Sequence, residues 1–437
     1  MPYVLGVDIG STTTTAAVIR PRGSTWEQPE AVRLAPTGHP VPSVLLMATN
    51  RSITVADPDD YEHPVDGGWI ARNFVPRIGD DVPLLFGGEA CTAQALTAML
   101  AMWVVERVIE REGERPEWMV LSHPAGWGAY RRHLLQEALW EVGLADVTLV
   151  PGPVAAAANH AGYGLAGRTL AVHTLGGNTF EPAVVDRVQP LGFELRGVHP
   201  EPEHLGGADL DDALVEQIRT ALGRELSDLT DPLVRSALRG LHRECRRAKV
   251  DLTDVGSTEI SVRLPRRDLR MTVTRGEFEE LIRPALTLTV DELARTVRSR
   301  GPRPEEVDAV LLVGGSARIP LLRELLAARF PVPVETAPDP QLTVALGAAL
   351  AGSQILDRQR GNRPPPRPPV MRPPRPGYGP GEVVPRQRDR STAAEPARRP
   401  PGSGADGREH LPPRPPIRIT PLELPMRALS RLTAGRG

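Results

Sequence analysis

Over the first ~355 residues apolar positions recur in two rhythms, and each predicts an element. Residues 3–7 are an apolar run and residues 14–19 a β-branched one, joined at Gly10-Ser11, which predicts a hairpin. Residues 89–112 carry a helical period, with an apolar stripe opposite charges. Residues 118–122 predict a buried strand broken by His123-Pro124-Ala125-Gly126, and 130–142 an amphipathic helix. Residues 147–150 predict a strand closed by Pro151-Gly152-Pro153, and 155–161 a tightly packed helix of small residues. Residues 169–174 form a strand entering a second glycine turn, and 180–188 leave it. The strand–turn–strand unit of residues 3–19 thus recurs at 169–188, with Gly and Thr at both tips, an internal duplication of one architecture.

Residues 209–249 then read as helical and 262–275 as extended, and Thr274 with Glu277 has the spacing of a capping box before a helix over 278–300. A buried strand at 310–313 runs into Gly314-Gly315-Ser316, and Pro320 opens a helix through Ala328. A second small-residue helix is predicted at 343–351. After about residue 356 the rhythm stops. The remainder holds 19 of the 47 prolines, in runs such as Pro364-Pro365-Pro366-Arg367-Pro368-Pro369, and has few aromatics. Such a segment cannot bury a core, so a disordered tail with polyproline stretches is expected. Within it residues 417–432 are sparsely apolar and read either as a short docking segment or as a chance cluster. The expected organisation is a first lobe over 1–168, a second over 169–356 and the tail over 357–437.

Composition sharpens this picture in three places. A hydrophobic fraction of 40% in 437 residues provides for a large core. No secretory signal is visible, and the longest apolar run, near residues 95–105, is too short to span a bilayer. A cytoplasmic protein without membrane insertion is therefore expected, with Cys91 and Cys245 reduced and in no metal-binding pattern. The charge is lopsided: residues 357–437 hold 17 Arg against 7 acidic residues, which leaves the body acidic under a net charge of −2. Such a tail reads as merely solvated, as folding back on the acidic body, or as meeting an acidic protein partner, with no nucleic acid implied. Lys249 is the only lysine, every other basic residue being arginine, as expected of a GC-rich genome.

The candidate chemistry sits in three glycine turns. Gly10, Gly176 and Gly177 let backbone amides approach phosphate oxygens with no Cβ in the way. Ser11, Thr12, Thr13 and Thr179 add hydroxyl donors, and Asn178 lies between them in the second turn. Asp8, at a strand end, is placed to hold Mg²⁺ through water. Gly314-Gly315-Ser316-Ala317-Arg318-Ile319-Pro320 joins a buried strand to a helix, where backbone can pass close to a flat base or ribose and Arg318 can stack on it. Either phosphate turn alone would read as a plain hairpin; the three together, in this order, point to a nucleotide.

With these residues in view, positions 1–355 resemble the nucleotide-binding domain of the heat-shock-70 (DnaK-like) chaperones, within the actin-like ATPase superfamily. The chain reads as a divergent member of actinobacterial type with a Pro/Arg-rich tail. The resemblance implies an α/β fold, two lobes of duplicated ribonuclease-H-like architecture around a nucleotide cleft, with ATP or ADP and Mg²⁺ as cofactors. Asp8 to Thr13 resembles the family's first phosphate loop, Leu175 to Phe180 the second and Val313 to Pro320 its adenosine loop. His204-Leu205-Gly206-Gly207-Ala208-Asp209-Leu210-Asp211 matches a signature beside the phosphates, which assigns Gly206 and Gly207 to the site. Pro153 to Ala158 and Gly347-Ala348-Ala349 resemble the two connecting helices at the hinge. Cys245 to Lys249 resembles the adenosine-contacting helix, with Lys249 at a base- or ribose-contacting position and Thr253 one turn beyond.

The departures concern cleavage. Thr174 stands where the family has an aspartate that orients water, Gly152 where it has a glutamate before the connecting helix, and Gln341 where it has an aspartate. The catalytic lysine is expected near residues 74–79, where this chain offers Pro76 and Arg77. Asp8, Thr179, Glu181 and Arg77 are left as the catalytic candidates. The family's substrate-binding β-domain and lid are not recognised in the tail. The leading expectation is therefore an ATP-binding module with weak or lost hydrolysis; an active chaperone-type ATPase and an actin-like structural or scaffold protein remain as alternatives.

Overall fold

The computed structural model describes residues 2–361 apart from residue 37 and residues 58–68, 165–166, 189–191, 199–203, 227–229, 265–266 and 300–303. The chain opens with β1 (Val4–Ile9) and β2 (Thr13–Ile19), the short strands β3 (Pro21–Arg22), β4 (Thr25–Trp26), β5 (Glu30–Ala31) and β6 (Val41–Pro42), and then β7 (Val44–Met47), β8 (Ile53–Val55) and β9 (Trp69–Arg72). The hairpin β10 (Leu84–Phe86) and β11 (Glu89–Cys91) leads to α1 (Ala93–Glu112), β12 (Trp118–His123), α2 (Ala129–Glu141), β13 (Val147–Pro151) and α3 (Gly152–Gly162). The second half runs β14 (Thr169–Leu175), β15 (Phe180–Arg187), β16 (Phe193–Val198), α4 (Gly207–Leu222) and α5 (Pro232–Asp254). It continues through β17 (Ser257–Arg263), β18 (Asp268–Thr274), α6 (Arg275–Ser299), β19 (Ala309–Val313), α7 (Pro320–Arg329), β20 (Val334–Thr336) and α8 (Thr343–Gly361).

Two sheets repeat one topology. The first has the order β13-β12-β1-β2-β5, with β6 also on β2, and the second β16-β15-β14-β19-β20. In each, a leading hairpin is antiparallel, as in Asp8↔Thr15 and Thr174↔Glu181, and two parallel strands flank its first arm. This is the duplicated two-lobed α/β architecture the sequence predicts. The hairpin turns and the carboxyl ends of the parallel strands in each sheet open on one edge, where an α/β sheet places ligands.

Side-chain alternation decides what covers each face. Along β1, Leu5 and Val7 face the core shared with α1 and α2, whereas Val4 and Gly6 face α8. A Cβ on Gly6 would lie 2.3 Å from the Ala349 nitrogen, so the glycine is what lets α8 lie flat on the strand. The second sheet is covered on one face by α4, α5, α6 and α7, and on the other by α3. Each connecting helix thus caps the sheet formed by the other half of the chain. The two helices cross where Gly347 meets Ala155, and a Cβ there would lie 1.7 Å from the Ala155 carbonyl oxygen. This close approach explains their small-residue composition.

Several elements differ from their prediction for identifiable reasons. Residues 89–91 are strand, and the helix starts at Ala93, where the Thr92 hydroxyl accepts the Ala95 amide at 3.3 Å. The long helical stretch is two helices: α4 ends at Gly223, and Asp231 caps α5 with Pro232 in its first turn. The extended stretch gains a partner, since β17 pairs with β18 in a hairpin whose outward positions are polar. The capping box forms, Glu277 accepting the Thr274 amide at 2.9 Å and returning its own amide to the Thr274 hydroxyl at 3.3 Å. Helix α3 takes in Gly152 and Pro153, and α8 runs on to Gly361. The tail prediction, including residues 417–432, falls on residues 362–437, outside the described residues.

Candidate functional site

The two phosphate-loop candidates are the same four-residue turn. The Gly10 amide donates to the Thr13 carbonyl at 3.0 Å, and the Gly176 amide donates to the Thr179 carbonyl at 2.9 Å. The turns meet face to face: a Cβ on Gly177 would lie 2.1 Å from the Thr12 hydroxyl oxygen. Gly206 packs as tightly on the second turn, its own Cβ position 2.4 Å from the Gly177 carbonyl oxygen. The next two amides, of Gly207 and Ala208, donate to Gly176 and Gly177 at 2.9 and 2.7 Å, seating the start of α4 on that turn. A side chain at Gly177 would therefore push the two turns apart, and one at Gly206 would lift the start of α4 off the second turn. Thr12, Gly176, Gly177, Asn178, Gly206 and Gly207 are one cluster.

The third glycine segment closes on the same cluster. Gly314 has φ +95°, a left-handed conformation, and its missing Cβ would lie 2.3 Å from the Leu175 carbonyl oxygen. Ser316 is buried, and a Cβ on Gly207 would meet its hydroxyl at 2.8 Å and the Lys249 ammonium at 3.1 Å. Lys249 Nζ donates to the Gly207 carbonyl at 2.6 Å and to Asp211 Oδ2 at 2.9 Å. Burial pushes the ammonium of Lys249 down and the carboxyl of Asp211 up in pKa, while their pairing opposes both. The single lysine therefore anchors the start of α4 to α5 beside the adenosine-loop candidate. Arg318 is half-exposed and pairs with Asp339 at 3.0 Å; the same carboxylate oxygen accepts the Gln341 amide at 3.1 Å.

Two carboxylates occupy the floor between the lobes. Asp8 accepts a hydrogen bond from the Ser122 hydroxyl, and its burial raises its pKa against that bond. Glu181 projects from β15 to lobe one, where its Oε1 accepts the Ala125 amide at 2.5 Å and the Gly126 amide at 3.4 Å. Burial, and after it the charge of Asp8, pushes Glu181 up to about 7, while the two amides oppose the shift. Thr174 is paired with Glu181 in the hairpin register, and its buried hydroxyl has no hydrogen-bond partner among the described residues. No three of His, Cys, Asp and Glu converge on a metal position among the described residues. A cation here would be held by one or two carboxylates and completed by phosphates and water, as Mg²⁺ usually is.

Other candidates lie apart. Arg77 pairs with Asp80 at 3.3 Å and donates to the Val82 carbonyl at 3.0 Å, so its guanidinium is engaged within its own segment. The Thr253 hydroxyl donates to the Val250 carbonyl at 2.7 Å, and its carbonyl accepts Arg275 at 3.2 Å. At Gly152 a Cβ would find its nearest atom 3.8 Å away, so the site has space for a side chain. Two surface hollows lie outside the cluster, one lined by His133, Glu137, Trp140 and Leu144, the other by Arg243, Arg246, Arg247 and Val250 on α5. Sequence reasoning missed Ser122 on Asp8, the Ala125 and Gly126 amides on Glu181, and Asn73, which reaches Asn178 across the cleft at 3.3 Å. None of these sits in a motif.

A family model described as Hsp70 protein matches residues 79–361. The chain belongs to the Hsp70 family. Two curated relatives, each named a chaperone protein HscA homolog, come from two strains of Acidithiobacillus ferrooxidans. Each is 31% identical over 297 residues, which is 67% of this chain and 46% of the relative. This Hsp70-family chain therefore spans about half the length of the curated relatives it matches. Among the described residues no helix is long and apolar enough to cross a membrane. The three glycine segments, packed so closely that a Cβ at Gly177, Gly206 or Gly314 would collide with Thr12, Gly177 or Leu175, and the buried ammonium beside them fit an adenine nucleotide of the kind Hsp70 proteins bind.

Proposed function

We propose that this Hsp70-family chain holds ATP or ADP with Mg²⁺ between its lobes, hydrolyses ATP slowly or not at all, and acts as a chaperone-like or regulatory module through occupancy of the cleft. The observation that carries this reading is the packing of Thr12 on Gly177 and of Ser316 and Lys249 on Gly207 at the start of α4, beside a Thr174 that has no carboxylate to offer. Gly10, Ser11, Thr12 and Thr13 bind phosphate from lobe one, and Gly176, Gly177, Asn178, Gly206 and Gly207 from lobe two. Gly314, Gly315, Ser316 and Arg318 hold the adenosine end with Lys249 and Thr253, and Asp8 holds Mg²⁺ through water. The bound nucleotide supplies the phosphoryl group, and the protein's part is positioning and charge stabilisation. A threonine hydroxyl at 174 positions water less well than a carboxylate, a loss on the order of 10²–10³ in rate. The division into lobes at 1–168 and 169–356, a cytoplasmic setting, and recruitment of a protein partner by the Pro/Arg-rich residues 357–437 belong to the same proposal.

The test is calorimetric titration with MgATP and MgADP alongside phosphate release, on one preparation each of wild type and Thr174→Asp. Binding by both proteins, with release that rises in Thr174→Asp, is expected. No affinity for either nucleotide overturns the reading. One observation favours a second reading, an active ATPase using Asp8, Thr179, Glu181 and Arg77: burial holds Glu181 near neutrality beside Asp8, where a proton acceptor is most useful. Steady phosphate release by wild type that Asp8→Asn abolishes would select that reading over the first.

A further inference from the structure

Asn73 follows β9 and has φ +54°, a left-handed backbone that asparagine tolerates better than most side chains. The residues after it fix its position. Phe74, Val75 and Ile78 are buried in the core of lobe one, so the exposed Asn73 is carried to the cleft on a rigid segment. Its side chain crosses to the other lobe, where Asn178 Nδ2 donates to Asn73 Oδ1 at 3.3 Å. Asn178 belongs to the Gly176–Thr179 turn, the second-lobe phosphate loop of the proposed site. The two cations of this segment are engaged elsewhere, Arg72 with Asp57 at 3.1 Å and Arg77 with Asp80 and the Val82 carbonyl.

The bond with Asn178 uses the carboxamide oxygen of Asn73, which leaves the NH₂ group as the donor it can offer a ligand. An NH₂ donor suits a phosphate oxygen and brings no positive charge. We propose that Asn73 is a nucleotide-binding residue: oriented by Asn178, its carboxamide donates from lobe one to the γ-phosphate of ATP. This rests on the adenine-nucleotide reading above and deepens it. A neutral donor makes the site discriminate only modestly between ATP and ADP, and it gives little stabilisation to charge that builds up during cleavage.

The test is titration of wild type, Asn73→Gly, Asn178→Ala, the double variant and Arg77→Ala with MgATP and MgADP. Asn73→Gly is the informative substitution, because glycine adopts the left-handed backbone without strain and only the carboxamide is lost. Its ATP affinity is expected to fall roughly 3–10-fold, the worth of one neutral hydrogen bond, with ADP affinity changed less than about 2-fold. Asn178→Ala is expected to lose part of the same selectivity, and the double variant to be no worse than Asn73→Gly alone. Arg77→Ala is expected to keep the ATP-to-ADP affinity ratio of wild type, any effect of that change falling on phosphate release. An unchanged ATP-to-ADP ratio in Asn73→Gly overturns this assignment while leaving the nucleotide reading intact, and so does a γ-phosphate preference lost in Arg77→Ala. A wild type that binds neither nucleotide overturns both.

Discussion

At the scale of single residues, the glycine turns were legible because close backbone approach restricts a position to glycine, and Lys249 stood out against an all-arginine background. What escaped the sequence are polar partners brought in from distant segments: Ser122 on Asp8, Asn73 on Asn178, and two loop amides on Glu181. A lone polar residue carries no local trace of what it will meet. His173 is another such case, a fully buried imidazole in β14 whose Nε2 lies 3.0 Å from the Thr289 hydroxyl. Burial pushes its pKa down to about 3. Below the ordinary histidine range the unfolded chain takes up a proton that the folded one refuses, so the stability His173 contributes is present above ~6.5 and lost as the pH falls toward 3. Between pH 7 and 5 this group alone costs about 2 kcal/mol. His173→Gln is expected to flatten the loss of stability over that interval by about this amount, read from urea midpoints at the two pH values. An unchanged slope would show that other groups dominate the acid limb.

At the scale of elements, long periodic segments and both leading hairpins were legible, whereas the short strands between β2 and α1 were not. Those strands are two to four residues long, too short to establish a period of two, and they depend on neighbours for their pairing. Residues 209–249 concealed a break because α4 and α5 both pack on the second lobe's core, so the apolar stripe resumes after the turn. Glycine in a helix illustrates how packing overrides propensity. Gly240 in α5 faces open space, the nearest atom to a Cβ being Arg243 Nη2 at 3.8 Å, so Gly240→Ala is expected to stabilise by roughly 0.5–1 kcal/mol. Gly347 in α8 is pressed on Ala155, so Gly347→Ala must force the connecting helices apart, with an expected loss of about 2 kcal/mol or more despite the same gain in propensity. Thermal or urea denaturation of the two variants checks the opposite signs, and a neutral Gly347→Ala would mean that the crossing is slack enough to adjust.

At the scale of the molecule, the duplication was visible in the two hairpins, but the exchange of helices was not, because sequence order places α3 with the first half and α8 with the second. In space α8 packs on Val4, Ala17 and Ile19 of the first sheet, while α3 packs on Leu170, Val172 and Ala183 of the second. Neither half buries its own sheet on both faces, so the lobes are expected to unfold as one unit. The chain contains its own reporter, since all six tryptophans, Trp26, Trp69, Trp103, Trp118, Trp127 and Trp140, precede residue 169. Trp26 also donates to Asp357 of α8 at 2.9 Å, and Trp118 packs against the same helix. Tryptophan fluorescence therefore follows the first lobe, while circular dichroism follows helices of which most lie in the second. The two probes are expected to give coincident urea transitions in the intact chain. A fragment of residues 1–168 lacks α8, leaves the Val4, Gly6 and Ala17 face of its sheet bare, and is expected to show no cooperative transition and a red-shifted emission from Trp26 and Trp118. Separate midpoints in the intact chain, or a fragment that unfolds cooperatively, would mean that each half holds its own core and that the crossed helices serve the hinge alone.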